Sequence, residues 1–111
     1  MKNCKAIIIC ALLCASTGVF AEEHAAAALK HAEQAVTHGK AGHASVLVEH
    51  AESALEHAKQ GENIASGDAK THLEAGIKSL EDSISHGKQN HAEIATKSAE
   101  GAVEHLKSAN L

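Results

Sequence analysis

The sequence predicts an all-α protein, an antiparallel up-down-up-down four-helix bundle built from two duplicated helical hairpins. Three observations predict it. Apolar residues recur with the spacing of a helical stripe. The 111-residue chain contains no proline, and its glycines cluster where helices should end. The second half repeats the first at an offset of 48 residues, so that residues 24–60 align with 72–108. That alignment matches His24 with His72, Glu33 with Glu81, His38 with His86, His43 with His91 and His57 with His105. Each repeat is therefore one helical hairpin.

The first 21 residues, MKNCKAIIICALLCASTGVFA, are set apart from the bundle. Lys2 and Lys5 precede an apolar run that ends in V-F-A, the pattern of a secretory signal peptide cleaved after Ala21. The domain would then be residues 22–111. All three cysteines and the only aromatic, Phe20, lie in the leader, so the remainder has no disulfide to rely on. Loss of two lysines and no acid moves the formal charge from −4 to −6.

The bundle elements follow in order. With a heptad register restarted in each helix at Ala25, Ala44, Leu73 and Ala92, apolar residues fall at positions a, d and e. Helices are expected at 23–38, 43–60, 69–86 and 91–108. Gly39 and Gly87 stand where a helix C-terminus favours a left-handed residue. Gly42, Asn90 and Asp68 are candidate N-caps. GENIASG, residues 61–67, is the one longer connection. Short connections make consecutive helices antiparallel neighbours. Alanine dominates a and d, and Gly76 and Gly101 lie inside helices, so the core is poor. A ligand or weak self-association is expected to add stability; the protein is read as a monomer or weak homo-oligomer.

The acidic balance and the absence of arginine exclude a nucleic-acid partner. No nucleophile–base constellation appears, and the chain is read as a non-enzyme. No membrane role is expected once the leader is removed.

The chemistry lies in ten histidines: His24, His31, His38, His43, His50, His57, His72, His86, His91 and His105. All occupy position g of their own helix. Residues seven apart on one helix are about 10 Å apart, too far to share an ion. Across an antiparallel hairpin, residues whose numbers share a constant total stand level. In the first hairpin His38 and His43, His31 and His50, and His24 and His57 each total 81. In the second, His86 and His91, and His72 and His105, each total 177. The missing rung there is Ser79 with Ser98, which also total 177. HGKAGH and HGKQNH are then the tightest rungs of two ladders of cross-helix histidine pairs, and His31 with His50 is expected to form one site. The g rows can instead face the α1–α4 side of the bundle, pairing His24 with His105 and His38 with His91; bundle handedness decides between the two.

Imidazole nitrogen ligates Cu(II), Ni(II) and Zn(II) at roughly 2 Å. Asp68 and Asp82 lie four residues before His72 and His86, placed to ligate or to orient the ring. Cleavage after Ala21 would leave Glu22-Glu23-His24, with histidine third. The free amine, two amide nitrogens and that imidazole can enclose Cu(II) or Ni(II) in a square plane. Glu33, Glu52, Glu81 and Glu100 at position b, and the lysines, read as a solvated face.

The seven-residue histidine repeats HAEQAVTH and HAESALEH, with the HGKAGH turn, resemble the small metal-binding protein family, periplasmic histidine-rich four-helix bundles known from ammonia-oxidising bacteria. The resemblance spans the chain after the leader. It implies reversible binding of several divalent ions, copper foremost, in buffering or tolerance. Ser79 and Ser98 depart from the repeat and imply a smaller capacity in the second hairpin. The expected function is that of a periplasmic metal-binding protein for Cu(II), with Ni(II) and Zn(II). The rival is an interaction module whose histidine stripe senses pH.

Overall fold

The computed structural model describes residues 2–110, with side chains described from residue 21. Four helices follow in order: α1 Lys2–Lys40, α2 Ala44–Ile64, α3 Gly67–Lys88 and α4 Ala92–Ala109. Among the described residues there is no strand. The helices stand in a square, α1 beside α2, α2 beside α3, α3 beside α4, and α4 closing on α1. The two hairpin contacts are the most extensive. The expected signal peptide, residues 1–21, lies outside the described side chains except for Ala21. No helix among the described residues is long and apolar enough to cross a membrane.

Heptad positions a and d point to the bundle axis, and the core is built from them. Among the described side chains of α1, every buried apolar one is alanine: Ala25, Ala28, Ala32 and Ala35. The large buried residues are Leu47 on α2, Leu73 and Leu80 on α3, and Leu106 on α4. Small residues let the helices approach until backbone meets side chain. A Cβ placed on Gly39 would collide with Thr96 and come within 2.6 Å of Leu47 Cδ1. One placed on Gly87 would lie 2.5 Å from Val48 Cγ2. Gly61 faces His24 Cβ at 3.3 Å in the same sense. Ser83 is the one fully buried polar side chain among those described; its hydroxyl donates to the Ala95 carbonyl on α4 at 2.7 Å.

Local details differ from the expectations. Gly39 and Gly87 are not left-handed caps; they lie inside α1 and α3 at the close approaches just described. In the two hairpin turns the left-handed residues are Gly42, at φ +82°, and Asn90, at φ +63°; Gly67, at φ +62°, opens α3. The N-caps of α2 and α4 are His43 and His91, and neither makes a side-chain capping bond. The longer connection expected at 61–67 shrinks to Ala65 and Ser66, because α2 continues through Gly61 to Ile64. Asp68 lies in the first turn of α3, where an acid favours the helix dipole, while Ser66 holds the cap position.

The duplication is a duplication in space as well. Lys40 reaches Glu100 at 3.9 Å, and its repeat equivalent Lys88 reaches Glu52 at 3.8 Å. Both pairs are half-exposed or more, so each contributes at most about 1 kcal/mol. Between α2 and α3 a groove floored by Leu55 and Ile84 is rimmed by Glu52, Glu56, Glu81, Lys59 and Lys88. Its counterpart between α1 and α4 is floored by Val36 and Val103 and rimmed by Glu33, Glu100, Glu104 and Lys107. Those two sides of the square carry carboxylates and lysines, and the other two carry the histidines.

Two glycine substitutions should move stability in opposite directions. A Cβ at Gly101 meets only Ser79 Oγ at 3.7 Å, an ordinary contact. Gly101→Ala should therefore gain about 1 kcal/mol from helix propensity. Gly39→Ala forces apart Thr96 and Leu47, and threonine is stiff about χ1; it should lose about 1–3 kcal/mol. Thermal unfolding of both variants checks the contrast, and a gain at Gly39 would refute the close approach.

Candidate metal centre

Position g borders the apolar stripe, so the imidazoles line the edge of each hairpin seam. His24, His31, His38, His50 and His57 are half-buried there, as are His72, His86 and His105. His43 and His91, at the turns, are exposed. Every imidazole pair in ring contact joins α1 to α2 or α3 to α4; among the described residues none joins α1 to α4.

In the first hairpin, level partners lie at ring-centroid distances of 5.7 Å for His24 with His57, 6.0 Å for His31 with His50, and 6.1 Å for His38 with His43. Diagonal partners are as close or closer. His31 stacks on His57 at 5.6 Å, with the rings 7° from parallel. His38 stacks on His50 at 5.2 Å and 8°. The six rings thus form one unbroken zigzag, His24–His57–His31–His50–His38–His43. His31 and His50 are not an isolated pair, because each has a second imidazole neighbour. Sequence arithmetic on level partners missed the diagonals, whose partners lie a full seven-residue repeat beyond the level position on the facing helix.

The second hairpin keeps one contact, His86 with His91 at 6.2 Å. His72 and His105 have no imidazole within ring contact among the described residues, and Ser79 and Ser98 occupy the gap between them and the turn. Asp82 and Asp68 are exposed. Asp82 does not reach the ring four residues on: His86 Nδ1 is buried without a hydrogen-bond partner, as is His31 Nδ1. Glu22 and Glu23 are exposed on α1.

The spacing can be tested against metal chemistry. Two imidazoles sharing an ion at ~2.0–2.1 Å hold their nitrogens roughly 3.3 Å apart at a tetrahedral angle. His24 Nδ1 and His57 Nδ1 are 3.4 Å apart. The corresponding ring-centroid separation is roughly 4.5–6.3 Å as the angle opens from 90° to 180°, and the four level pairs in ring contact fall in that span. Among the described residues no three histidine, cysteine, aspartate or glutamate side chains converge on one point. Each pair offers two nitrogens, and water must complete the coordination of any ion held there.

The two turns share one backbone design. His43 N–H donates to the His38 carbonyl at 2.9 Å, and Gly42 N–H donates to Gly39 at 3.0 Å. His91 N–H donates to His86 at 2.9 Å, and Asn90 N–H to Gly87 at 2.9 Å. This six-residue closure with a left-handed fifth residue is the Schellman motif. Its first and sixth positions usually make an apolar contact; in both turns they are histidines.

Comparison with known proteins agrees with this chemistry. The sequence model of the family described as small metal-binding protein matches residues 1–109, nearly the whole chain. No curated protein matches the chain.

Proposed function

We propose that this chain, which belongs to the small metal-binding protein family, binds Cu(II), and also Ni(II) and Zn(II), reversibly through cross-helix histidine pairs. The observation that carries the reading is the 3.4 Å separation of His24 Nδ1 and His57 Nδ1, the bite of one tetrahedral ion. The unbroken file of six imidazoles supports it. Borderline divalent ions are the class that prefers imidazole. We place the protein in the periplasm, where it acts as a metal buffer after removal of residues 1–21. With two protein nitrogens per ion and water around the rest, binding is exchangeable, which suits buffering. Its role is binding, not catalysis. Calorimetric titration with Cu(II) tests the reading: absence of binding tighter than about millimolar would overturn it and leave the histidine stripe as a pH sensor.

Cu(II) should raise the melting temperature at pH 7.5. A ligand that binds only the folded state stabilises it by mass action, and an alanine-rich core leaves room for that gain. Imidazole ligates only when neutral, and its ordinary pKa is about 6.5. The gain should be present above that pH and vanish as pH falls through it. Thermal melts with and without saturating Cu(II) at pH 7.5 and 5.0 measure both parts.

Single histidine losses should be unequal. His50 has near neighbours in both His31 and His38, so His50→Ala should weaken more than one bound ion. His105→Ala removes an imidazole without a ring neighbour and should leave the number of tightly bound ions unchanged. Equal losses in equilibrium dialysis would contradict the assignment.

The amine exposed by cleavage after Ala21 would form a separate square-planar site with Glu22, Glu23 and His24. His24 would then serve either that site or His57. An extra residue ahead of Glu22 moves histidine to fourth place, and the square-planar absorption of the first Cu(II) equivalent should disappear. An unchanged spectrum would assign that first ion to the ladder.

A further inference from the structure

We propose that, among the cross-helix histidine pairs, the two turns, His38–His43 and His86–His91, fill first with a borderline divalent ion, and that Gly42 and Asn90 are their positioning residues. The inference rests on the histidine-pair reading above and specifies where that reading begins to operate.

Along the rest of the ladder, the distance between imidazoles depends on helix packing over an alanine seam. At the turns it depends on covalent connection and two backbone hydrogen bonds. Four intervening residues and the closure from His43 N–H to the His38 carbonyl tie both ligands to one small ring of chain. Little conformational freedom remains to be lost when an ion binds. The ring geometry is duplicated although the loops differ. The centroid distances are 6.1 and 6.2 Å and the interplanar angles 36° and 35°, while the inner residues are Gly-Lys-Ala-Gly in one turn and Gly-Lys-Gln-Asn in the other. What the two share is the backbone motif and its left-handed fifth residue.

Three further observations point to a ligand. Histidine takes the N-cap position of α2 and of α4 without making a capping bond. Serine, threonine or aspartate there would stabilise the helix by about 1 kcal/mol, so both repeats forgo a cap and gain an uncommitted imidazole. One histidine of each turn is exposed, which admits a hydrated ion, and the other is half-buried. His86 Nδ1 is buried without a partner. In the second hairpin this turn is the one imidazole pair in ring contact among the described residues, so it can be followed without interference from a ladder.

The left-handed residue links backbone to site. At Gly42 and Asn90, φ is positive, a conformation that glycine adopts freely, asparagine tolerates and β-branched residues resist. Valine at either position would drive the turn open and separate the imidazoles while leaving every ligand in the chain. Asn90→Gly, or Gly42→Asn, installs the residue the other turn already uses and should preserve the site.

The test is addition of substoichiometric Cu(II) to the unaltered protein, followed by paramagnetic broadening of assigned histidine ring signals. The rings of His38, His43, His86 and His91 should broaden ahead of those of His31 and His57. Asn90→Val should weaken the ion at His86 and His91 by about tenfold or more, and Asn90→Gly should restore it. Circular dichroism establishes that each variant folds, and the filling order in the unaltered protein needs no variant. If His31 and His57 broaden first, or if a folded Asn90→Val binds as the unaltered protein does, the turn proposal is wrong while the histidine-pair reading stands. If no ring broadens at equimolar Cu(II), the histidine-pair reading itself fails.

Discussion

The separation of the helix axes governs the rest of this structure. Packed helices lie 8–10 Å apart, and side chains at the contact decide where in that range they fall. The α1–α2 contact is lined by buried alanines, Ala25, Ala28, Ala32 and Ala35 against Ala51, Ala54 and Ala58, the side chains that favour the short end of that range. Only then do g-position imidazoles from facing helices meet at 5.2–6.1 Å. A leucine seam would bury more area at roughly 25 cal/mol per Å², and it would hold the rings apart. The weak core is the condition for the ladder. On the proposed reading, an ion bound between two helices would add the cross-link that the small side chains do not supply, joining occupancy to stability in one contact.

The two repeats resolve that tension differently. Where the first hairpin has Ala28 and Ala35, the second has Gly76 and Ser83, and where the first has His31 and His50 the second has Ser79 and Ser98. The second hairpin also holds Leu73, Ile77, Leu80 and Leu106 in its core. A buried bond from the Ser83 hydroxyl to the Ala95 carbonyl ties α3 to α4 without any imidazole. Its packing is therefore better supplied where its ladder is interrupted. The symmetric contacts between hairpins, Lys40 with Glu100 and Lys88 with Glu52, survive this divergence. They lie at turn lysines, and the turns are the part of the repeat that diverged least in geometry.

The fold was legible in the sequence because both of its signals are long. A heptad stripe sustained over four helices and a 48-residue repeat leave few alternatives to an antiparallel bundle. Level histidine partners were legible for the same reason, since a constant total is a property of any antiparallel hairpin. The errors lie where one or two residues decide. Gly39 and Gly42 are both plausible left-handed residues, and only the closure of His43 N–H on His38 distinguishes them. Gly61 looks like a loop glycine, yet it lies inside α2, where a Cβ would stand 3.3 Å from His24 Cβ. Ser83 at a core position gives no signal until its acceptor on α4 is known. The diagonal stacks escaped notice because helical twist and ring rotation, not numbering, bring His31 over His57.

The gap proposed to hold a metal ion also fits a proton. At 3.4 Å, His24 Nδ1 and His57 Nδ1 can share one hydrogen, donated by one ring and accepted by the other. Two protonated nitrogens cannot face each other there, and an ion needs both lone pairs. Uptake of a divalent ion must therefore displace any proton held between the rings, so binding is coupled to pH by the geometry of the pair. The zigzag extends this coupling. His31, His38, His50 and His57 each have two imidazole neighbours, so an ion on one pair removes a ligand from the adjoining diagonal. An ion on the His31–His50 level would take a ligand from both diagonals, whereas one on His38–His43 would take a ligand from the His38–His50 diagonal alone. The interrupted ladder of the second hairpin has no such competition, and its turn pair would take up an ion independently of any neighbour.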